Sequence, residues 1–373
     1  MKFSCEKLLL LTAILTAMRG AATKSPVPLL EGLLVEVEAG LVRISGYDLK
    51  TGIVTTLPAD VDETGGIVLN ARLFAEIVRK MPGQYITLHV SSGYIAKISS
   101  EMSEFEILGS PIADYPELPS VEGEDFLEIS ELLLKKMISQ TNFAVSDNES
   151  RPIHTGALFE TGDSELTIVA VDGYRLALRR EALEGEVTSN LSFVVPGTAL
   201  GEVEKIASDG EGVVKITLGS KHIMFTIGDT ILISRRLEGE FLNYKNSIPQ
   251  QAKFQIKVDK DELISSVERV SLIISDKLKS PVRCVFGDGI VNLFSASSLG
   301  KASDECAAEG NGEELEIGFN DKYLLEALKA APADNVTLEL NTGVTPCIIS
   351  PAGDEKNNFL YMILPVRLKA YDG

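Results

Sequence analysis

The sequence predicts an α+β protein of three similar domains, each a doubled β-α-β-β-β unit. Two recurrences in the chain predict it. A strand-then-helix opening, Phe3-Ser4-Cys5-Glu6-Lys7-Leu8, returns as Leu127-Glu128-Ile129-Ser130-Glu131-Leu132 and again from Phe254-Gln255-Ile256-Lys257-Val258 to Leu263. A second such opening recurs at Gly66-Ile67-Val68-Leu69-Asn70 to Lys80, at Ser192-Phe193-Val194-Val195-Pro196 to Ile206, and at Glu316-Ile317-Gly318-Phe319-Asn320 to Leu328. The period of roughly 125 residues exceeds any solenoid unit and suits one domain. Mixed sheets carrying two helices on one face bury both element types. Three such domains in one chain imply rotational pseudo-symmetry, as in a ring or arc; simple triplication without special geometry is the plainer alternative.

The elements of the first domain follow in order. Phe3 to Cys5 alternates as a strand. Leu8, Leu11, Leu15 and Met18 fall at helical spacing, and Gly20 follows as a stop. Leu33 to Glu38 and Leu41 to Ser45 alternate around Ala39-Gly40 as a hairpin. A second helix, Ala71 to Lys80, ends at Met81-Pro82-Gly83. Tyr85 to Val90 and Tyr94 to Ser99 form a further hairpin around Ser91-Ser92-Gly93. Linkers rich in Pro, Glu and Gln at Pro116 to Asp125 and Ile248 to Lys253 set the expected domains at 1–120, 125–249 and 253–373.

Composition narrows function mainly by exclusion. With 373 residues, 45% hydrophobic and 24% charged, the chain can bury substantial cores. Its formal net charge of −19 argues, before motifs are read, against a phosphate-backbone partner, which needs local positive potential. Cys5, Cys284, Cys306 and Cys347 form no CxxC pair, and His89, His154 and His222 are dispersed, so neither a metal nor a cofactor is expected. Scattered thiols fit a reducing, cytoplasmic setting with cysteines acting as small core residues. Lys2, the run Leu8 to Ile14 and Ala21-Ala22 imitate a signal peptide. The same segment opens the first repeat, however, and is read as structure; its apolar run is too short to cross a membrane.

Catalysis finds no support. Gly287-Asp288-Gly289 and Gly310-Asn311-Gly312 read as hairpin turns rather than a phosphate loop. Asp259, Asp261 and Glu262 sit at a helix start, where they favour the helix dipole.

Several motifs resemble one family, the bacterial sliding clamp, β subunit of DNA polymerase III. They are Met1-Lys2-Phe3, Ala170-Val171-Asp172-Gly173-Tyr174-Arg175-Leu176-Ala177, Gly239 to Tyr244 with Ile248-Pro249, Gly318-Phe319-Asn320 with Tyr323, and Leu364-Pro365-Val366-Arg367-Leu368. The resemblance runs the length of the chain, in order. It implies a head-to-tail homodimer of six DNA-clamp domains closing on itself, with sheets outside and helices lining a central pore for duplex DNA. It implies a non-catalytic processivity factor that tethers DNA polymerase and is handled by clamp-loader subunits, with the acidic excess kept to the outer face and rim. A ring-forming scaffold without DNA function and an enzyme with a cleft between repeats are the competing classes.

The resemblance also implies three sets of residues. Basic residues toward DNA are Lys24, Arg72, Arg79, Lys80, Arg19, Lys135, Lys136, Arg151 and Lys205, with Lys7 and Arg269 also on the helices and loops expected to line the pore. Their phosphate contacts would be sequence-blind and salt-sensitive, as sliding requires. Pro152 and Ile153 replace aromatics of relatives, and the Pro196-Gly197-Thr198 stretch lacks a basic pair. A pocket for partner peptides, between the second and third domains, is lined by His154, Val171, Gly173, Tyr174, Arg175, Leu176, Leu242, Leu278, Asn320, Tyr323, Val344, Pro346, Met362, Ile363, Leu364, Pro365, Val366 and Arg367. Leu242 and Pro346 depart from the commoner residues, and Lys369 to Gly373 extend past the usual terminus. The dimer interface is implied to set Phe105 and Ile107 of one chain against Leu272 and Ile273 of the other. Individually, each basic residue reads equally as a solvated helix position, and Val171 and Ile363 equally as strand core.

Overall fold

The computed structural model describes residues 1–187, 190–274, 280–353 and 358–368. Six α-helices occur among them: α1 (Lys7–Ala17), α2 (Ala71–Lys80), α3 (Glu131–Ser139), α4 (Gly197–Ile206), α5 (Lys260–Ser271) and α6 (Asp321–Ala330). Each begins where a strand ends, so the two recurrences of the sequence are six copies of one strand-helix junction. Three junctions use the same device. The side-chain oxygens of Asn70, Asp259 and Asn320 accept the N–H groups of Leu73, Glu262 and Tyr323, satisfying donors that a helix start leaves open.

Contacts divide the chain into two compact units, one formed by 1–135, 184–189 and 198–236, the other by 136–183, 190–197 and 237–373. In the first unit a five-stranded sheet runs Asp60–Glu63, Lys2–Glu6, Tyr85–Val90, Ile95–Ser100, Ser103–Leu108. An eight-stranded sheet runs Phe126–Ser130, Val213–Leu218, His222–Ile227, Thr230–Arg235, Thr51–Pro58, Leu41–Tyr47, Gly32–Glu38, Gly65–Asn70. Its middle joins distant parts of the sequence, with Leu232 opposite Ile53 in antiparallel register. The second unit holds a ten-stranded sheet, in which Arg175–Ala182 pairs with Phe359–Ile363.

The first core shows how the elements earn their places. Phe3, Leu10, Ile14, Leu33, Phe74, Val78 and Ile86 are buried together, so the opening strand and α1 are integral core. Each large side chain in such a cluster contributes about 1.5–3 kcal/mol by burial. The buried stripe of α1 is Leu10, Ala13, Ile14 and Ala17, whereas Leu8 lies 66% exposed and Leu11, Leu15 and Met18 only pack at the margin. The predicted stripe is therefore rotated by one position, because a helix apolar nearly all round leaves periodicity without a phase. Gly20 does not stop this helix, which ends at Ala17. A Cβ on Gly20 would lie 2.6 Å from the Gly46 carbonyl oxygen, and one on Gly46 would strike the Ala17 carbonyl oxygen. The pair lets helix end and strand approach backbone to backbone.

The two Gly-x-Gly segments also differ from expectation. They lie inside one long hairpin, Val282–Ser297 with Gly300–Phe319, where Asp288 faces Asn311 and the register shifts on both sides. They are bulges rather than turns. Gly289 (φ 74°) and Gly310 (φ 117°) occupy the left-handed region that such a bend requires. The four cysteines are free and buried. Burial pushes the thiols of Cys5 and Cys284 up to about 12 and that of Cys306 to about 11, and raises Cys347 further. No helix among the described residues is long and apolar enough to cross a membrane.

Candidate functional site: an apolar basin with a buried arginine

The hairpin Glu165–Val171 to Arg175–Ala182 builds the site's floor. Its turn is tied by Asp172, whose Oδ1 accepts the N–H groups of Tyr174 (2.8 Å) and Arg175 (3.0 Å), while Gly173 takes φ 92°. Beyond the turn, Arg175 stands opposite Ile363 and Leu176 opposite Met362. Because side chains alternate, these two pairs point to opposite faces of the sheet.

On one face, Val171, Leu176 and Met362 join Leu158, Leu178, Val194, Tyr244 and Ile348 in a buried apolar cluster. Ile153, Phe241 and Ile248 pack at its margin. The segment after Phe241 is held by Tyr244, whose hydroxyl donates to Glu160 at 2.6 Å. Leu242 is 43% exposed, and the Tyr244 N–H donates to its carbonyl oxygen. His154 borders the cluster through Phe241, the rings meeting edge-on at 5.8 Å.

On the other face, the Arg175 guanidinium is only 8% exposed. It pairs with Asp172 at 3.0 Å and with Glu326 of α6, donates to the Phe143 carbonyl oxygen, and lies 4.4 Å over the Tyr323 ring. Tyr323 in turn stacks on the exposed Tyr174 at 6.1 Å. Asn320 acts here as the cap of α6, and Ile363 is fully buried on this same face. Leu364 donates its N–H to the Tyr174 carbonyl oxygen (2.8 Å) and Val366 to that of Gly318 (2.8 Å), so the final described segment, with Pro365, straps the turn to a strand of the third repeat. Val344 is 75% exposed in the turn ahead of Pro346, and Arg367 is exposed. Leu278 and Lys369 to Gly373 lie outside the described residues.

The expected lining omits Phe241, Tyr244 and Ile348 in the apolar cluster, and Asp172, Glu326 and Phe143 around Arg175. Asp172, Phe241 and Tyr244 fall within motifs quoted above, and Asp172, three residues before the arginine, also left a local signal. Ile348, Glu326 and Phe143 arrive from distant segments.

The basic residues divide by partner. Arg19 and Lys205 both reach Glu202, at 3.3 and 2.7 Å; Lys135 meets Asp209 at 2.8 Å, and Arg79 meets Glu76. Lys24, Arg72, Lys80, Lys136 and Arg151 have no ion-pair partner among the described residues. Lys7 donates to the Met81 carbonyl oxygen, and Arg269 is bound to Asp304.

Each unit also carries an exposed apolar position. Phe105 is 44% exposed on Ser103–Leu108, the last strand of the five-stranded sheet, while Ile107 packs partly on the core. In the other unit Leu272 is 83% exposed just past α5 and Ile273 is half-buried. No group of three or more His, Cys, Asp or Glu among the described residues could hold a metal ion.

Family models of the DNA polymerase III beta subunit match in chain order: its N-terminal domain at 1–119, central domain at 128–243 and C-terminal domain at 245–367. The chain belongs to the DNA polymerase III beta subunit family. It is 33% identical over 98% of its length to the beta sliding clamp of Staphylococcus aureus, covering 99% of that protein. The corresponding protein of Staphylococcus epidermidis is 32% identical over the same share. Among solved structures, the DNA polymerase sliding clamp from Bacillus subtilis superposes with a TM-score of 0.94 at 31% identity, across 99% of this chain and 100% of that one. The DNA polymerase beta subunit of Streptococcus pyogenes gives 0.94 at 27% identity, with the same coverage. The family's three-domain mixed α and β architecture is thus this chain's own.

Proposed function

We propose that the chain is a sliding clamp, which closes as a ring of two copies around duplex DNA and tethers the replicative polymerase for processive synthesis. The end-to-end match to the beta subunit family in all three domains carries this reading. The clamp performs no chemistry itself; the catalytic partner is the polymerase. A replication protein with four free buried thiols fits a cytoplasmic setting. The domains are taken as 1–120, 125–249 and 253–373, with the paired helices of each lining the pore.

Closure needs two faces that fit. The edge strand carrying Phe105 and Ile107 is an aggregation hazard if left open, and the exposed Leu272 with Ile273 offers apolar surface for a second copy to cover. DNA contact falls first to Lys24, Arg72, Lys80, Lys136 and Arg151, whose charges are not met by carboxylates among the described residues. Arg19, Arg79, Lys135 and Lys205 must trade a carboxylate for a phosphate, which keeps the hold loose enough to slide.

The apolar cluster around Leu176 and Met362 is assigned to short polymerase and clamp-loader segments with apolar anchors. Such a segment buries little surface, so affinity is expected near micromolar, about −8 kcal/mol. Two pockets per ring would raise the effective concentration for partner exchange. Sedimentation tests closure, expecting twice the 40.3 kDa chain mass at micromolar concentration. Fluorescence anisotropy of a labelled polymerase C-terminal peptide tests the pocket. A monomer, or a peptide that does not bind, contradicts the respective part.

A further inference from the structure

The floor of the basin is built twice in this chain. In the first unit the turn after Tyr47 is tied by Asp48, whose Oδ1 accepts the N–H groups of Lys50 (2.8 Å) and Thr51 (2.6 Å), as Asp172 does after Val171. Leu49 (φ 74°) takes the left-handed place of Gly173 (φ 92°). The cross-strand rows agree as well. Tyr47, Gly52, Ile233 and Met224 are successive partners across four strands, as are Val171, Leu176, Met362 and Ile348. Leu34 faces Val68 as Leu158 faces Val194, and Leu29 packs from the turn Pro28–Glu31 as Ile153 does from Pro152–Thr155. Partners across a sheet share one face, so each row lines one surface.

The copies differ at one floor position and in what lies on it. Gly52 stands where the basin has Leu176, and a Cβ there would lie 2.8 Å from the Leu118 Cδ2 atom. Leu118 belongs to the linker, which is fixed at both ends. Ser110 exchanges backbone hydrogen bonds with Val68 (2.9 and 3.0 Å), and the Asp125 carbonyl oxygen accepts the Leu218 N–H (2.9 Å). Between these ends Tyr115 and Leu118 pack with Tyr47, Val68, Leu29 and Leu34 as a satellite cluster. Past Leu118 the row opens into a cleft of about 610 Å³ lined by Val121, Phe126, Lys215 and Met224.

We infer that the first unit carries a second peptide site, closed in cis by its own linker with Leu118 as the resident anchor. The inference rests on the peptide-pocket reading above. The linker shows what this floor accepts: an extended segment carrying a leucine, the chemistry assigned to partner peptides at the other copy. Being tethered, it competes at an effective concentration of order millimolar. Against a resident of similar, micromolar affinity, a free peptide is weakened about a thousandfold and stays off at micromolar concentration. Lifting the linker exposes the site.

The test counts sites per chain by calorimetric titration of the full-length protein with a hexapeptide carrying Leu and Phe anchors. The parent should bind one. Pro116→Gly, Glu117→Ser, Leu118→Gly and Pro119→Ser together remove the anchor and loosen the linker. That protein should bind two, the second tightened up to about a thousandfold. Gly52→Leu, which supplies the missing floor side chain and displaces Leu118, should reach two from the other direction. The two opened proteins are independent, so either decides if the other misfolds. Adding Met224→Glu should remove the second site and spare the first. One site in the opened proteins overturns the inference and leaves the first pocket standing, as does a second site indifferent to Met224→Glu. Two sites in the parent overturn the closure. A parent that binds no peptide overturns the pocket reading and this one with it.

Discussion

Replacing Arg175 by Ala should weaken the fold and the pocket together, and the structure sets the size of the effect. The guanidinium is 8% exposed and the Asp172 carboxylate 11%, so truncation strands a buried charge. Breaking a buried pair from one side costs about 3–5 kcal/mol. Glu326 is 33% exposed, so its share is screened and adds less than about 1 kcal/mol. At roughly 2–4 °C per kcal/mol for a unit of this size, melting should fall by about 6–20 °C. The chain has no Trp, so the melt is best followed by circular dichroism. Peptide affinity should fall as well, because Tyr323 loses the cation over its ring and Tyr174 loses a supported stacking partner. Arg175→Lys, which cannot fork to both carboxylates, should recover only part. A melting point within about 1 °C of the parent, with unchanged peptide binding, would show that the arginine cluster supports neither.

Glu202→Gln should free Arg19 and Lys205 together, tightening DNA retention and steepening its log-salt slope by up to about two, measured by salt-challenge of loaded clamps. Lys24→Glu with Arg72→Glu should impair processivity in primer extension more than Arg79→Glu, because Arg79 already meets Glu76. Leu272→Ala with Ile273→Ala should yield monomers by sedimentation, each large side chain removed costing about 2–5 kcal/mol if covered. The buried thiols have folded pKa values raised above their unfolded values. Their contribution is therefore full below about pH 9 and is lost as pH rises through about 11 to 12, where only the unfolded chain releases protons first. Urea midpoints should accordingly fall between pH 9 and 11, and less so in a Cys5→Ala, Cys306→Ala variant. Ending the chain at Leu368 is the truncation to test by peptide anisotropy, because ending it before Met362 would also remove two buried residues from a central strand.

The strand-helix junctions and hairpins were legible because local chemistry writes them: alternation, capping Asn and Asp, and turn glycines. What failed to show was whatever depends on a distant segment. The phase of α1 is set by the sheet beneath it, since Leu8 and Leu10 are equally apolar. Gly20 answers to Gly46 rather than to the end of its helix. Gly287-Asp288-Gly289 reads as a turn until its partner strand is seen to continue past it. Basic residues that look alike in sequence separate in space, Arg19 and Lys205 converging on Glu202 while Lys24 and Arg72 have no ion-pair partner among the described residues. The pocket motif around Arg175 was visible, but the carboxylate of Glu326 and the Phe241 segment arrive from far along the chain.

The central claim is topological: the protein holds DNA by encircling it. Clamps loaded onto a nicked circular duplex, then passed through a gel-filtration column in moderate salt, measure this directly. The account predicts that the protein stays with circular DNA and is released when a single restriction cut lets it slide off the ends. Equal retention on circular and linear DNA, or none on either after loading, would contradict it.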